Sequence, residues 1–496
     1  MINLYANLKS APPGCNLHDS LRTKTKPAIV ISIPLVWGVR NILRSGLYTE
    51  LSDYFRVIIA APEEGQQDLL RDGINADDLW ILDHPQETGR HGRLMKTLKS
   101  AHGRLHPTPS DEIFSQWSKQ KGNGTNGGLR HKATEAAYKG LGLIGSNRVL
   151  FDWLEQREND AYAQMIPQRT WDLLRKTQPV FGLSTSHVIN WEWALFRAMH
   201  ALKIPIATHV LSFDNLTARG YIPTKHFDHF LVWHEAMADE LKRFYAIPEN
   251  RITITGTPQF DFHVRHEFHW SREQTTQALG LDSRRPYFLH CANHHAMTPG
   301  EPELVAAVVR EASTDARFQK HQWVVRLHPL DDYKRWEPLA QQFDNVRISQ
   351  PWSQVRGEAC WAAPTNEELA RLANTLRYAD ATMTMGSSTA LDSAVVDTPI
   401  ICVGFHPRTG SAEDNFYRTS HFTHHYSPIM ESKAAPLALN MAELMQLLGQ
   451  AVSNRGGLHE QRVRLVAKVC GQVDGKAADR IAETVIQLVH AHTNHH

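Results

Sequence analysis

The segment Y-A-D-A-T-M-T-M-G-S-S-T-A-L-D-S-A-V-V-D-T-P-I-I-C-V, Tyr378 to Val403, decides the fold. Ala381–Met385 and Ile400–Val403 are short apolar runs of the kind found in parallel strands covered on both faces. Between them, Gly386 permits a tight turn, and Ser387, Ser388 and Thr389 open a helix that continues Ala-Leu-Asp-Ser-Ala-Val. A helix start presents unpaired N–H groups and partial positive charge, so hydroxyl residues there suit a phosphate. The alternative is that Ser387 or Ser388 only caps the helix.

The same rhythm extends outward over the 496 residues, a length that calls for two domains. A hydrophobic content of 42% with 21% charged residues places the chain among globular proteins. Its net charge of +1 gives no reason to expect a nucleic-acid partner. No apolar run approaches the roughly 20 residues of a membrane-spanning helix, and the first residues lack a signal-peptide core. Five scattered cysteines without a C-x-x-C pair suit reduced thiols, so a cytoplasmic location is expected.

Residues 1–26 read as a loose leader, and 27–262 as a first strand–helix domain with a polar Gly/Asn-rich insertion at 104–131. Strands are expected at Ala28–Val36, Val57–Ala61, Leu79–Asp83, Val180–Ser184, Pro205–Val210, Phe230–Trp233 and Ile252–Thr255. Helices are expected at Asn41–Tyr54, over one long stretch at 147–176, at Trp191–Leu202 and at Ala236–Tyr245. The rhythm lapses over 263–286, read as the linker. A second α/β domain spans 287–472, and 473–496 holds a helix that can cross back to the first domain. The expected fold is α/β, with two Rossmann-like doubly wound domains facing a cleft.

Ligands in such sheets bind at the carboxyl ends of strands, which nominates the residues that follow each one. After Tyr287–His290 come His290, Asn293, His294 and His295. Their spacing fits no compact zinc pattern, so a polar loop lining the cleft is expected, with His290 and Asn293 facing the donor and no metal. In W-V-V-R-L-H-P-L, alternation sets Arg326 and His328 on one face, suited to a diphosphate, unless Arg326 pairs with Asp331 or Asp332. Asp392 lies one helical turn past Thr389, near enough for a ribose hydroxyl or simply favoured by the helix dipole. In the first domain, Asp214 or His209 could serve as general base, though Asp214-Asn215 could equally form an Asx turn. Arg40, Asn41 and Asn215 are candidates for the acceptor side.

Four pieces in order, S-F-D-N-L-T-A-R-G, V-W-H-E-A-M-A-D-E-L-K with I-T-I-T-G-T-P-Q-F-D, R-L-H-P-L and A-D-A-T-M-T-M-G-S-S-T-A-L-D-S, resemble the glycosyltransferase-B superfamily. The branch most resembled includes CDP-glycerol glycerophosphotransferases and capsule-type transferases of bacterial surfaces. UDP-N-acetylglucosamine 2-epimerases share the architecture. The resemblance implies an activated nucleotide donor held by the second domain and a carbohydrate or lipid-linked acceptor held by the first. It implies no cofactor beyond the nucleotide-sugar substrate. It matches Gly386, Ser387, Ser388 and Thr389 to a phosphate turn, Asp392 to a ribose carboxylate and His328 to a donor-side histidine. Thr384 stands where many retaining members carry the first glutamate of E-x7-E. The expected activity is sugar transfer in surface polysaccharide synthesis. Polyol-phosphate transfer, 2-epimerisation and a non-catalytic nucleotide- or carbohydrate-binding scaffold are the alternatives. Peripheral membrane contact is open through an amphipathic surface near the acceptor cleft, at the inner face of the membrane, although no helix shows a strongly basic face.

Overall fold

A computed structural model describes residues 26–83, 92–93, 148–188, 190–218, 224–352, 355–357 and 361–493. The leader (apart from Lys26), the 104–131 insertion, Cys15 and Cys360 lie outside the described residues. The first lobe holds β1 (Ala28–Ser32), β2 (Arg56–Ala61), β3 (Leu79–Ile81), β4 (Phe181–Ser184), β5 (Ile206–His209), β6 (His229–Val232) and β7 (Ile252–Ile254). The second holds β8 (Tyr287–Cys291), β9 (Gln322–Arg326), β10 (Val346–Ser349), β11 (Ala381–Thr384), β12 (Ile400–Val403) and β13 (Leu437–Ala438). Every pairing is parallel, in the orders β3-β2-β1-β4-β5-β6-β7 and β10-β9-β8-β11-β12-β13.

The central strands of both sheets are buried on two faces and read as largely apolar runs, while the edge strands β3, β7 and β10 are partly exposed. In β1, Ile29 and Ile31 enter one core and Val30 the other, as the two-residue pleat dictates. In β8, Phe288 packs on one side while Tyr287 and Leu289 pack on the other. Strand order reverses between β1 and β4 and again between β8 and β11, the places where such sheets open a crevice.

Several expectations change in detail. The helix expected over Asn41–Tyr54 breaks at Gly46, whose φ of 93° starts a new helix, α1 (Leu47–Tyr54). The single long helix expected over 147–176 is two, α2 (Arg148–Ala163) and α3 (Gln168–Thr177), because Pro167 lacks an N–H to continue the first. The expected linker is folded. It carries α4 (Asp261–Val264) and α5 (Arg272–Leu279), the latter opened by a capping box between Ser271 and Gln274. Phe262, Phe268 and Leu279 join the core of the second lobe with Leu369, Ala373 and Leu376 of α6 (Asn366–Arg377). The decisive segment folds as read: β11, a turn, α7 (Thr389–Val395) and β12.

The final helix, α8 (Ala477–Thr493), returns to the first lobe. Its Ile481, Val485, Ile486 and Val489 pack with Ile29, Ile31, Val57 and Leu51. Asp261 fixes the start of α8 by accepting from the Ala477 and Ala478 amides at 3.1 and 3.3 Å. Gly471 permits the crossing, since a Cβ there would lie 2.3 Å from the Trp233 carbonyl oxygen. Replacing Ile481 by Ala is expected to cost about 2–5 kcal/mol, the usual loss for a truncated core aliphatic. The readout is an earlier first transition in urea. An unchanged transition would show that α8 is not part of the first-lobe core.

Candidate active site

Gly386 turns the chain after β11 with φ of 62°, and its backbone leans on Ser420, whose Oγ would lie 3.1 Å from a Cβ at that position. Ser388 occupies the position before α7, yet its hydroxyl makes no capping bond. Ser387 Oγ accepts only a long 3.4 Å bond from the Thr389 amide, and Thr389 Oγ1 lies 3.2 Å from Thr384 Oγ1. The turn from Gly386 to Thr389 is half-buried. It therefore offers a glycine bend, amides at a helix start and an uncommitted Ser388 hydroxyl.

The loop after β8 is fastened to this turn. Asn293 Nδ2 donates to the Met385 carbonyl at 2.6 Å. Behind it, Glu301 accepts from His290 Nε2 at 2.8 Å, from the Asn293 amide and from the Thr298 hydroxyl. His290 is thus fully buried and committed to Glu301, so it supports the loop and does not face the donor as expected from its place at a strand end.

His328 follows β9 in the same region, with the His294 ring edge-on at 5.5 Å. The Leu330 amide donates to His328 Nδ1 at 3.1 Å, which leaves the ring proton on Nε2. Burial, then the nearby His294, depress His328 to about 4, so the free protein carries a neutral ring with one N–H. Arg326 is buried and turns to the Pro351 carbonyl, 3.3 Å from Nη2, while Nη1 has no partner. Desolvation lowers it to about 10. The carboxylates weighed as its partners are engaged elsewhere: Asp331 with Arg335 and Trp336, and Asp332 with the Lys334 amide.

Asp392 does not face an open ribose site. It is buried, and His263 Nε2 from α4 donates to Oδ1 at 2.8 Å. From the first lobe, buried Arg40 is close enough to feel the Asp392 charge, and its Nη2 donates to Gln259 Oε1 at 3.0 Å. Arg40 Nε also donates to Asn41 Oδ1, so both residues lie inside the junction of the lobes and not on an acceptor surface. His209 is buried near Arg40, 3.4 Å from the Gly256 carbonyl, and desolvation depresses it to about 4.

Asp214 and Asn215 open a short helix, Asn215–Ala218, in which Asn215 Oδ1 accepts from the Ser212 amide and the Asp214 carbonyl from Thr217 and Ala218. These bonds are those of a helical turn and not of the Asx turn weighed as an alternative, and Asp214 remains half-exposed on it. This loop meets the second lobe: the Phe213 ring lies 5.6 Å from that of His425, and Tyr426 OH reaches the Ser387 carbonyl at 3.4 Å. Glu301, His263, Gln259 and Tyr426 escaped the sequence reading because each acts through a partner distant in the chain.

Among the described residues, no group of three or more His, Cys, Asp or Glu side chains is arranged to hold a metal ion, and no helix is long and apolar enough to cross a membrane. Residues 213–487 match the family model described as CDP-glycerol:poly(glycerophosphate) glycerophosphotransferase. The chain belongs to this family. It is a transferase, of the surface-carbohydrate group that the motif order resembles. No curated protein matches its sequence. Its structure is similar to that of UDP-GlcNAc 2-epimerase from Neisseria meningitidis bound to UDP-GlcNAc, with TM-score 0.53 and 11% identity over 93% of this chain and 99% of that one. It is also similar to a putative UDP-N-acetylglucosamine 2-epimerase from Listeria monocytogenes, with TM-score 0.54 and 12% identity over 93% and 96% of the two chains. These likenesses establish the two-lobed glycosyltransferase-B fold.

Burial holds His209, His234, His328 and His421 near 4 and His187 near 3, below the ordinary 6.5. The unfolded chain then binds protons that the folded one refuses, so stability should fall as pH drops from about 6.5 towards 4. Glu192 and Glu240, raised to about 7, act in the opposite direction but are fewer. Chemical denaturation at pH 7.5, 6 and 5 checks this, and rising stability down the series would contradict it.

Proposed function

We propose that the protein transfers a sugar from a nucleotide-diphosphate donor to a hydroxyl of a carbohydrate or lipid-linked acceptor in the synthesis of a bacterial surface polysaccharide. The observation that carries this reading is the Gly386–Thr389 turn, with its unused Ser388 hydroxyl, tied through Asn293 to the loop that meets His328. The acceptor oxygen would attack the anomeric carbon while the bond to the β-phosphate oxygen breaks. Charge that grows on the departing diphosphate is met by the amides and hydroxyls of the turn and by His328 Nε2–H.

His328 enters as a neutral hydrogen-bond donor. An approaching anion would raise its proton affinity, so proton transfer can follow departure of the diphosphate. Arg326 contributes positive potential from behind the loop. For the acceptor proton, Asp214 is better placed than His209, which burial and the adjacent Arg40 keep from gaining charge. The reading needs no metal, because fixed donors meet the leaving group.

The family description favours a second reading in which the acceptor attacks the β-phosphorus of CDP-glycerol and CMP departs. Donor screening separates them. Turnover of a UDP- or GDP-sugar supports sugar transfer, whereas turnover of CDP-glycerol alone overturns it. His328→Ala should lower kcat more than tenfold with the circular dichroism spectrum unchanged, and wild-type kinetics would remove His328 from the site. Combined Ser388→Ala and Thr389→Ala should weaken nucleoside-diphosphate affinity several-fold by calorimetry; an unchanged constant would count against the turn.

A further inference from the structure

At the outer edge of the second sheet, a cavity of about 440 Å³ opens between the end of β10, the first turns of α6 and Tyr333. It is not the Gly386 turn. In the sheet order β10-β9-β8-β11 the two strand ends are three spacings apart, roughly 14 Å at about 4.8 Å per strand. Ser349, Trp352, Glu368 and Arg371 supply its polar wall.

The wall is rich in donors that nothing accepts. Trp352 Nε1 and Arg371 Nε are buried without a partner. Next to Trp352 in the chain, the Pro351 carbonyl accepts from Nη2 of Arg326, a residue that is 5% exposed and not part of the wall. Arg326 feels the charge of Arg371 and, in the opposite sense, those of Asp392 and Glu368. Among the described residues, Glu368 is the only acid on the wall, and its Oε2 is taken by the amide and hydroxyl of Thr365 in the capping box of α6. Buried donors are almost always satisfied in folded proteins, so two on one cavity wall call for an acceptor from outside the chain. A guanidinium and an indole N–H beside one occupied carboxylate select an oxyanion, which an arginine fork matches in shape as well as charge.

We propose that this cavity is an anion-binding site for a phosphate- or carboxylate-bearing ligand, gripped by Arg371 and Trp352. It is separate from the leaving-group turn and does not depend on the transfer reaction assigned above.

The test uses the full chain, inorganic phosphate as probe and uncharged cytidine as control. Phosphate should change the tryptophan fluorescence of the wild type, and Trp352→Phe should lose that change. Arg371→Met should weaken phosphate binding at least tenfold. Arg371→Lys, which keeps the charge and the stem but not the fork, should give an intermediate loss and guards against a folding defect in the first variant. The Ser388→Ala, Thr389→Ala double variant should keep the Trp352-dependent signal. The proposal is overturned if wild-type protein gives no such signal, if both Arg371 variants bind phosphate as the wild type does, or if the signal disappears with the turn. Cytidine binding as tightly as phosphate in an Arg371-dependent way would overturn the oxyanion class.

Discussion

The contact between His263 and Asp392 sets the relation of the two lobes, and the site depends on it. A carboxylate removed from water costs several kcal/mol unless its lone pairs are met. Here the imidazole of α4 meets Asp392 directly, and Arg40 of the first lobe adds positive potential from the other side. Because Asp392 sits one turn into α7, the same contact locates the start of that helix relative to the connecting segment. Asp261, at the head of α4, holds the amides of α8, which is packed on the first lobe. One short helix thus engages both a helix of the second lobe and the returning C-terminal helix.

Burial also decides what kind of chemistry the histidines perform. A desolvated imidazole favours its neutral form, and the bond from the Leu330 amide to His328 Nδ1 fixes which nitrogen keeps the proton. The group therefore presents a directed N–H before any anion arrives. A diphosphate is a good leaving group without full protonation, so fixed donors and a helix start are sufficient to stabilise its departure. Arg326 fits the same scheme at longer range: its Nη2 is held by the Pro351 carbonyl, and its positive charge sits at the end of β9.

The sheets were legible because doubly covered parallel strands leave runs such as Ile29–Ile31 and Phe288–Leu289 with no polar interruption. The Gly-Ser-Ser-Thr turn was legible because glycine and hydroxyl residues between two such runs have few other uses. Roles set by distant partners were not. His290 looked like a ligand at a strand end until Glu301, eleven residues on, claimed its Nε2. Asp392 looked like a ribose carboxylate until His263, 129 residues away in the chain, closed on it. One missed feature had a visible signal: Ser271 followed three residues later by Gln274 spells the capping box of α5, inside the stretch expected to be a linker.

The two transfer chemistries open to this family share a departing anion and differ in the atom attacked. In the reactions proposed, the anion would be met by the second lobe, at the turn after β11 and the loops after β8 and β9. The attacked atom would then lie between that turn and the Asp214 loop, and the segment from Ser420 to Tyr426 touches both. Ser420 backs Gly386, Tyr426 reaches the Ser387 carbonyl and His425 meets Phe213 beside Asp214. A small shift of this segment would move the nucleophile relative to a leaving group that stays in place. On this proposal the choice between carbon and phosphorus would rest on how the lobes meet, and recognition of the leaving group on the turn and its two neighbouring loops. That division explains why sequence motifs report the second more readily than the first.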